Sequence, residues 1–242
     1  MSAAGTAAFV VGPVLLGAMA QRATGLGLAL VGAPFLVAVL GPRDGVSFGN
    51  ALQVVLCTVV LLRTARGVDR RQALLLLAGA VVAVPLGALV VDALPEGPLL
   101  VVVGILAVAA VVVSLVPRLG GWMRGRSGPL VAGALAGFVN VTAGVGGPVI
   151  SAYALVRRWS VDVLVPTAQV VLLGINLIAL VSKGMPRVDG VVWGAAAAAL
   201  LVGVLAGDTV ARRLDAGTAR RAVAVLALLG GLATIVRGVL TS

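Results

Sequence analysis

Apolar runs separated by short polar loops fill almost the whole chain and predict a bundle of membrane helices. Most of the runs approach the length of about 20 residues that an α-helix needs to cross a bilayer. No alternation of apolar and polar residues of the kind found in membrane β-barrels is visible. In chain order, the runs cover residues 7–40 (broken), 47–62, 73–91, 98–116, 129–156 (broken), 163–182, 191–210 and 222–236.

Two of these runs contain a polar, glycine-dense break. The break at 140–148 separates two short runs, 129–139 and 149–156, and the break at 21–27 separates 7–20 from 28–40. Because these arms are shorter than a full crossing, each pair predicts a broken or re-entrant helix whose tip lies inside the membrane. Charge alone does not exclude a hairpin that spans the membrane fully. Paired breaks of this kind point to the binding site of a transporter.

The two breaks belong to an internal repeat, which divides the chain into a first transmembrane repeat (1–117), a basic linker (118–128) and a second transmembrane repeat (129–242). The predicted fold class is therefore an all-α integral membrane protein with two repeats of about 115–120 residues. Each repeat has a broken helix pair followed by three transmembrane helices. The matched positions, about 119 residues apart, are Gly25 with Gly144, Gly27 with Gly146, Gln21 with Asn140 and Asn50 with Gln169.

The distribution of basic residues predicts that the second repeat is inverted. An even number of passes for each broken pair, with the N-terminus outside, leaves only four of the 18 basic residues on the outer face. A single pass for each pair gives a much more even split, so the positive-inside rule favours the inverted arrangement. The basic loops are then cytoplasmic in a multi-pass protein of the cell membrane. The four outer residues are Arg43, Lys183, Arg187 and Arg237.

Composition supports the membrane class and excludes several others. The chain is 61% hydrophobic and 11% charged, against about 45–50% and about 25% in soluble domains. We assign the net charge of +10 to membrane orientation and anionic headgroups, not to nucleic acid. With one cysteine and no histidine, we predict no metal and no cofactor. The G-x-S-x-G match at 45–49 lacks a histidine to activate Ser47, so we predict that the protein is not an enzyme.

The helix after each break begins at a glycine, and this pattern predicts an anion site. Helix N-termini carry a partial positive charge, and glycine lets an anion approach the backbone closely. The alternative is that glycines serve only close helix packing, which we expect for Gly133 and Gly137. The substrate-binding residues predicted at the breaks are Gln21, Arg22, Thr24, Gly25, Gly27, Asn140, Thr142, Gly144, Gly146, Gly147 and Pro148.

Amide side chains inside two apolar runs extend this predicted site. Asn50 and Gln53 share one face of their helix, and Gln169 and Asn176 share one face of the matching helix. These faces predict either the wall of a substrate pathway or hydrogen bonds that join helices, and both interpretations stay open. Asp208 is the deepest acidic residue and the candidate for proton coupling.

The duplicated glycine motif resembles that of the sulfite exporter TauE/SafE family. The second copy, Gly144-Val145-Gly146-Gly147, is the clearer one, and the likeness covers about residues 7–236. It implies a secondary transporter, a permease or exporter, of a small anion such as sulfite, a sulfonate or a related organosulfur anion. The partners expected are that anion, the lipid bilayer and a coupling proton or ion, with no oligomeric state predicted. A passive anion channel and a non-transporting membrane scaffold are the alternatives.

Overall fold

The computed structural model describes residues 2–24, 28–115, 123–213 and 216–241, which are helical almost throughout and contain no strand. Seven of the described helices are long and apolar enough to cross a membrane, and the other apolar helices are shorter. The all-α membrane class is confirmed. The helices are α1 (Ala3–Thr24), α2 (Ala33–Leu40), α3 (Pro42–Thr64), α4 (Arg70–Ala93), α5 (Glu96–Leu115), α6 (Gly128–Ala143), α7 (Gly147–Val156), α8 (Val161–Lys183), α9 (Gly190–Arg213) and α10 (Ala216–Thr241).

The first arm of the first broken pair is longer than predicted. Helix α1 has 22 residues, which at 1.5 Å per residue span about 33 Å, enough for the apolar core of a bilayer. The Ser2 hydroxyl accepts a hydrogen bond from the Gly5 N–H and caps the helix before the apolar run begins. The prediction of a half-length arm is therefore wrong for α1. Re-entrance stays a prediction for the shorter helices α2, α6 and α7.

Both breaks are also narrower than the sequence predicts. In the second break, Asn140 and Thr142 still belong to α6, which ends where Gly144 adopts a left-handed φ of 74°. The Thr142 hydroxyl donates to the Phe138 carbonyl at 2.7 Å, a bond that satisfies this polar side chain within the helix. After the first break, the chain resumes as a π-helical turn, Leu28–Gly32. Such turns occur often at functional sites.

Close packing between helices depends on residues without bulky side chains. A Cβ atom on Gly133 of α6 would overlap the Leu76 carbonyl of α4, and one on Gly79 would overlap the Leu130 carbonyl. A Cβ on Gly137 would lie 3.1 Å from the Cα of Ala80. Backbones approach this closely only where small residues face each other. The packing role predicted for Gly133 and Gly137 is therefore confirmed.

The four most extensive helix pairings are kept when the two halves are exchanged, although α4 packs on α8 far more than α9 packs on α3. Helix α4 packs on α6 as α9 packs on α1, while α3 packs on its counterpart α8 and α5 on its counterpart α10. Helices α3 and α8 run antiparallel, because Gly67, just after α3, lies against Asp162 at the start of α8. Antiparallel counterparts are what inverted repeats require. The inversion relative to a membrane, and the domain boundaries, remain predictions.

Arg43, which is predicted to face outside, and Arg63, which is predicted to face inside, lie at opposite ends of the same helix. Arg43, at the start of α3, donates to the Asp92 carbonyl at the end of α4 at 3.1 Å. Arg63 lies in the last turn of α3, about 30 Å along the helix from Arg43. These two residues mark the two ends of α3, and labelling can assign each end to a membrane face.

We predict that the loops at residues 63–71, 118–126 and 212–221 are cytoplasmic, because the positive-inside rule favours that orientation. Cys57 is the only cysteine and is fully buried, so its replacement by alanine gives a background for single-cysteine labelling in intact cells. Each loop should react with a membrane-impermeant reagent only after the cells are opened. Labelling of the 212–221 loop from outside would overturn the inverted arrangement.

The packing of α4 on α6 makes a prediction about stability. Gly133→Ala should lower the free energy of unfolding by about 1–3 kcal/mol, because its methyl group overlaps the Leu76 carbonyl. Gly194→Ala is the matched control, since a Cβ there meets nothing within 4 Å. That change should be neutral or stabilising by up to about 1 kcal/mol. Thermal unfolding in detergent measures both, and equal melting temperatures would contradict the close packing.

Candidate anion site

The side chain of Asn140 bridges the second break. The Gly146 N–H donates to Asn140 Oδ1 at 3.2 Å, and the Gly144 N–H donates to the backbone carbonyl of Asn140 at 2.8 Å. A helix that breaks at membrane depth leaves backbone N–H groups without their usual partners, and lipid offers none. Asn140 therefore replaces an acceptor that the helix lost when it broke.

Gln21 does the same for the first break. Its Oε1 accepts a hydrogen bond from the Leu28 N–H at 3.2 Å, across the break. Gln21 and Asn140 are matched positions of the sequence repeat, so both halves satisfy the returning backbone in the same way. This finding corrects the expectation that the N–H groups after each break are all free for an anion. The Gly147 N–H still has no acceptor within the described part of the chain.

Asn140 also joins three helices through amide side chains. Its Nδ2 donates to Asn176 Oδ1 of α8 at 2.9 Å and to Asn50 Oδ1 of α3 at 3.4 Å. Both hydrogens of that amide are then in use in this structure, and the predicted contact of Asn140 with an anion stays a prediction. Asn176 in turn donates through its own Nδ2 to the Leu172 carbonyl at 2.7 Å.

Three buried polar atoms on α3 and α8 have no hydrogen-bond partner in the described part of the chain. They are Asn50 Nδ2, Gln53 Oε1 and Gln169 Oε1. Their side chains are only 1%, 5% and 4% exposed, respectively. An unsatisfied buried polar group costs about 1–3 kcal/mol, so these atoms are suited to contact a polar ligand or water. Asn50 Nδ2 is a hydrogen-bond donor and therefore suits an anion.

The fold brings the two broken segments together. A Cβ on Gly144, in the second break, would lie 3.2 Å from the Ala33 Cβ, just after the π-helical turn of the first. Val145 packs in one apolar cluster with residues 29–31 of that turn. A Cβ on Gly146 would lie 2.7 Å from the Ala136 carbonyl. Larger residues at Gly146 would therefore disturb packing before they could report on ligand binding.

The remaining predicted residues are placed as follows. Pro148 is the second residue of α7, where a missing N–H costs no hydrogen bond. The Thr142 hydroxyl donates to the Phe138 carbonyl within α6, so it offers no donor to the break. The side chains of Arg22, Thr24 and Asp208, and all atoms of Gly25 and Gly27, lie outside the part that the structure describes.

Two polar contacts were not predicted from the sequence. The Lys183 ammonium donates to the Val141 carbonyl at 2.8 Å, close to the second break. The Tyr153 hydroxyl donates to Gln72 Oε1 at 2.7 Å and joins α7 to α4 in the buried interior. Both contacts join residues far apart in sequence. The only signals that the sequence gives are one lysine at the end of an apolar run and one tyrosine within another.

Long apolar helices, paired broken helices and a buried amide cluster define the class of polytopic membrane proteins built like secondary transporters. The chain belongs to the sulfite exporter TauE/SafE family, whose sequence model matches residues 8–234. This membership confirms the resemblance of the glycine motif and implies a membrane transporter of sulfur anions. Comparisons with curated proteins and with solved structures gave no match.

The bonds at the two breaks predict a difference between two alanine variants. Within the described part of the chain, Asn140→Ala removes one bond to the backbone and two to other helices, whereas Gln21→Ala removes one, to Leu28. At about 0.5–1.5 kcal/mol for each bond, Asn140→Ala should lower the free energy of unfolding two- to threefold more. Thermal unfolding of the purified variants measures the difference. Equal losses of stability would show that the bonds from Asn140 to Asn176 and Asn50 add nothing to the bond that Asn140 accepts from the Gly146 N–H.

Proposed function

We propose that the protein is a secondary transporter of a small organosulfur anion, such as sulfite or a sulfonate, which binds beside the helix breaks in the middle of the membrane. Family membership supports transport of sulfur anions. The proposal adds the location of the site and its chemistry. Coupling to a proton or another ion belongs to the same proposal, and an imposed pH gradient across proteoliposomes tests it.

The observation that carries the proposal is the free amide donor of Asn50. Its Nδ2 is buried and unpaired, while its Oδ1 is held by the Asn140 amide at 3.4 Å. The bond to Oδ1 fixes the orientation of the amide group, so that Nδ2 stays available to a ligand. Together with the Gly147 N–H, it gives neutral donors beside the second break. An oxyanion accepts several such bonds without burying a counter-charge.

Gln53 and Gln169 fit the same pathway. Each has an unpaired Oε1, and rotation of the terminal amide by half a turn exchanges Oε1 with Nε2. Each side chain can therefore turn a donor toward an anion or an acceptor toward water. The wall of a pathway is thus better supported for these two residues than a purely structural bond between helices, which would leave no atom unpaired.

A passive channel and a scaffold are the alternatives that the test must separate from a carrier. A carrier saturates with substrate and exchanges labelled for unlabelled anion across the membrane. A channel conducts in proportion to the gradient at low concentration and shows no counterflow. A scaffold moves no anion in either assay.

We predict that Asn50→Asp lowers the rate of sulfite uptake into proteoliposomes by about tenfold or more. The carboxylate removes the free donor and repels the anion, and a loss of about 1.4 kcal/mol already corresponds to tenfold. Gln72→Glu is the matched control, because it also puts a carboxylate in place of a buried amide but keeps the acceptor for the Tyr153 hydroxyl. That variant should keep most of the uptake.

The comparison is valid for variants whose yield and melting temperature match the parent protein. Asn50→Ala, which removes the donor without adding charge, should raise KM with a smaller effect than Asn50→Asp. Normal uptake by a well-folded Asn50→Asp protein would rule out Asn50 as an anion ligand. Loss of uptake in Gln72→Glu to the same extent would point to a general effect of buried charge.

A further inference from the structure

A cavity of about 350 Å³ opens at the end of the bundle where α3 begins and where α4 and α8 end. This end carries the residues predicted to face away from the cytoplasm. We call this cavity the basic vestibule. The lining residues that matter here are Arg43, Asp44, Asp92, Lys183, Met185 and Arg187.

The cations of the vestibule are not neutralised by contact with its carboxylates. Arg43 donates to backbone carbonyls at the end of α4, the nearest being that of Asp92 at 3.1 Å. Asp44 accepts from the backbone N–H of Arg187 at 3.0 Å, not from its guanidinium, which has no partner in the described part of the chain. Three basic side chains therefore share one concave surface with two carboxylates.

Lys183 connects the vestibule to the second break. Its ammonium group lines the cavity and donates to the Val141 carbonyl, in the last turn of α6, at 2.8 Å. An ammonium has three N–H donors, and within the described residues only one of them is used. Gly144, where α6 ends, is three residues further along the chain. Lys183 thus lies between the opening at the end of the bundle and the backbone of the proposed anion site.

We propose that the basic vestibule is a second anion station, where Lys183 and Arg187 collect a small oxyanion or sulfonate before it reaches the helix breaks. This inference rests on the proposed transport function and adds an access site with its own selectivity. A concave surface lined by one excess sign of charge raises the local concentration of counter-ions and their rate of association. The free guanidinium of Arg187 can bind an oxyanion with two hydrogen bonds.

Cysteine modification tests the vestibule without relying on transport. Met185 is 65% exposed and lines the cavity, so Met185→Cys in a Cys57→Ala background places one reactive thiol there. The purified protein is treated separately with two methanethiosulfonate reagents. One carries an anionic ethylsulfonate group and the other a cationic trimethylammonium group. For each thiol, the rate of modification by the anionic reagent is divided by the rate with the cationic reagent. This ratio should be about threefold or more higher for the thiol of the Met185→Cys variant than for free cysteine. Added ethanesulfonate should slow the anionic reagent, and high salt should reduce the ratio.

Charge variants in this background assign the effect to particular residues. Lys183→Gln and Arg187→Gln should each bring the ratio toward that of free cysteine, whereas Lys183→Arg should keep it. Arg237→Gln is the matched control, because Arg237 donates to the Ala38 carbonyl and is not among the residues that line the cavity. If Lys183→Gln does not fold, the comparison of Arg187→Gln with Arg237→Gln still tests whether the vestibule selects anions. A ratio equal to that of free cysteine, or one lowered equally by Arg237→Gln, would overturn the proposal.

Uptake assays separate this inference from the proposed function. Arg187→Gln should raise KM for sulfite about threefold or more with kcat unchanged, because it affects collection and not passage. A charge-selective vestibule in a protein that transports no sulfur anion would refute the proposed function. Normal transport, together with a thiol in Met185→Cys that shows no preference for the anionic reagent, would refute only the role of the vestibule as an anion station.

Discussion

A break in a helix at membrane depth has to be satisfied by the protein itself, because lipid neither donates nor accepts hydrogen bonds. The Gly146 N–H meets this requirement by donating to Asn140 Oδ1, and the Leu28 N–H does so by donating to Gln21 Oε1. The rest of the site depends on the first of these bonds. Because the Asn140 oxygen accepts the Gly146 N–H, the amide has its two hydrogens left, and these donate to Asn50 of α3 and Asn176 of α8. One side chain thus ties an irregular backbone to two of the long helices.

Close helix packing brings α6 near enough to its neighbours for the Asn140 side chain to reach them. Gly79 and Gly133 let the backbones of α4 and α6 approach until a methyl group would not fit between them. Helix α6 is thereby held against α4 at Gly133, about two turns before Asn140. In lipid, where the hydrophobic effect does not drive helices together, contacts of this kind and interhelical hydrogen bonds replace it. The rigid helices then keep the unpaired atoms of Asn50, Gln53 and Gln169 inside the bundle.

The sequence predicts the membrane class, the helix breaks and the residues of the amide cluster, but not what each of those residues does. Hydropathy gives the long helices because their length and composition are local properties. It misses the start of α1, which depends on a cap by Ser2. The repeat alignment pairs Gln21 with Asn140, and the oxygens of both side chains accept from backbone N–H groups, while their predicted contact with the anion stays a prediction. Which partner an amide uses depends on tertiary contacts, such as the one between Asn140 and Asn176, that periodicity cannot predict.

Among the residues that the structure describes, charged and neutral polar side chains are separated along the bundle in a way that suits passage of an anion. The proposed binding site offers amide donors and a backbone N–H, which hold an oxyanion without a full counter-charge. Of the described cations, Arg187 and Lys183 lie at the opening, where Arg187 is exposed and Lys183 is half-buried. An ion must bind well enough to enter and weakly enough to leave. A buried, dry cation in the centre would hold the anion tightly, because attraction between charges grows as the dielectric constant falls. Cations at the solvated opening increase the rate of arrival instead, and neutral donors further inside leave the anion free to move on.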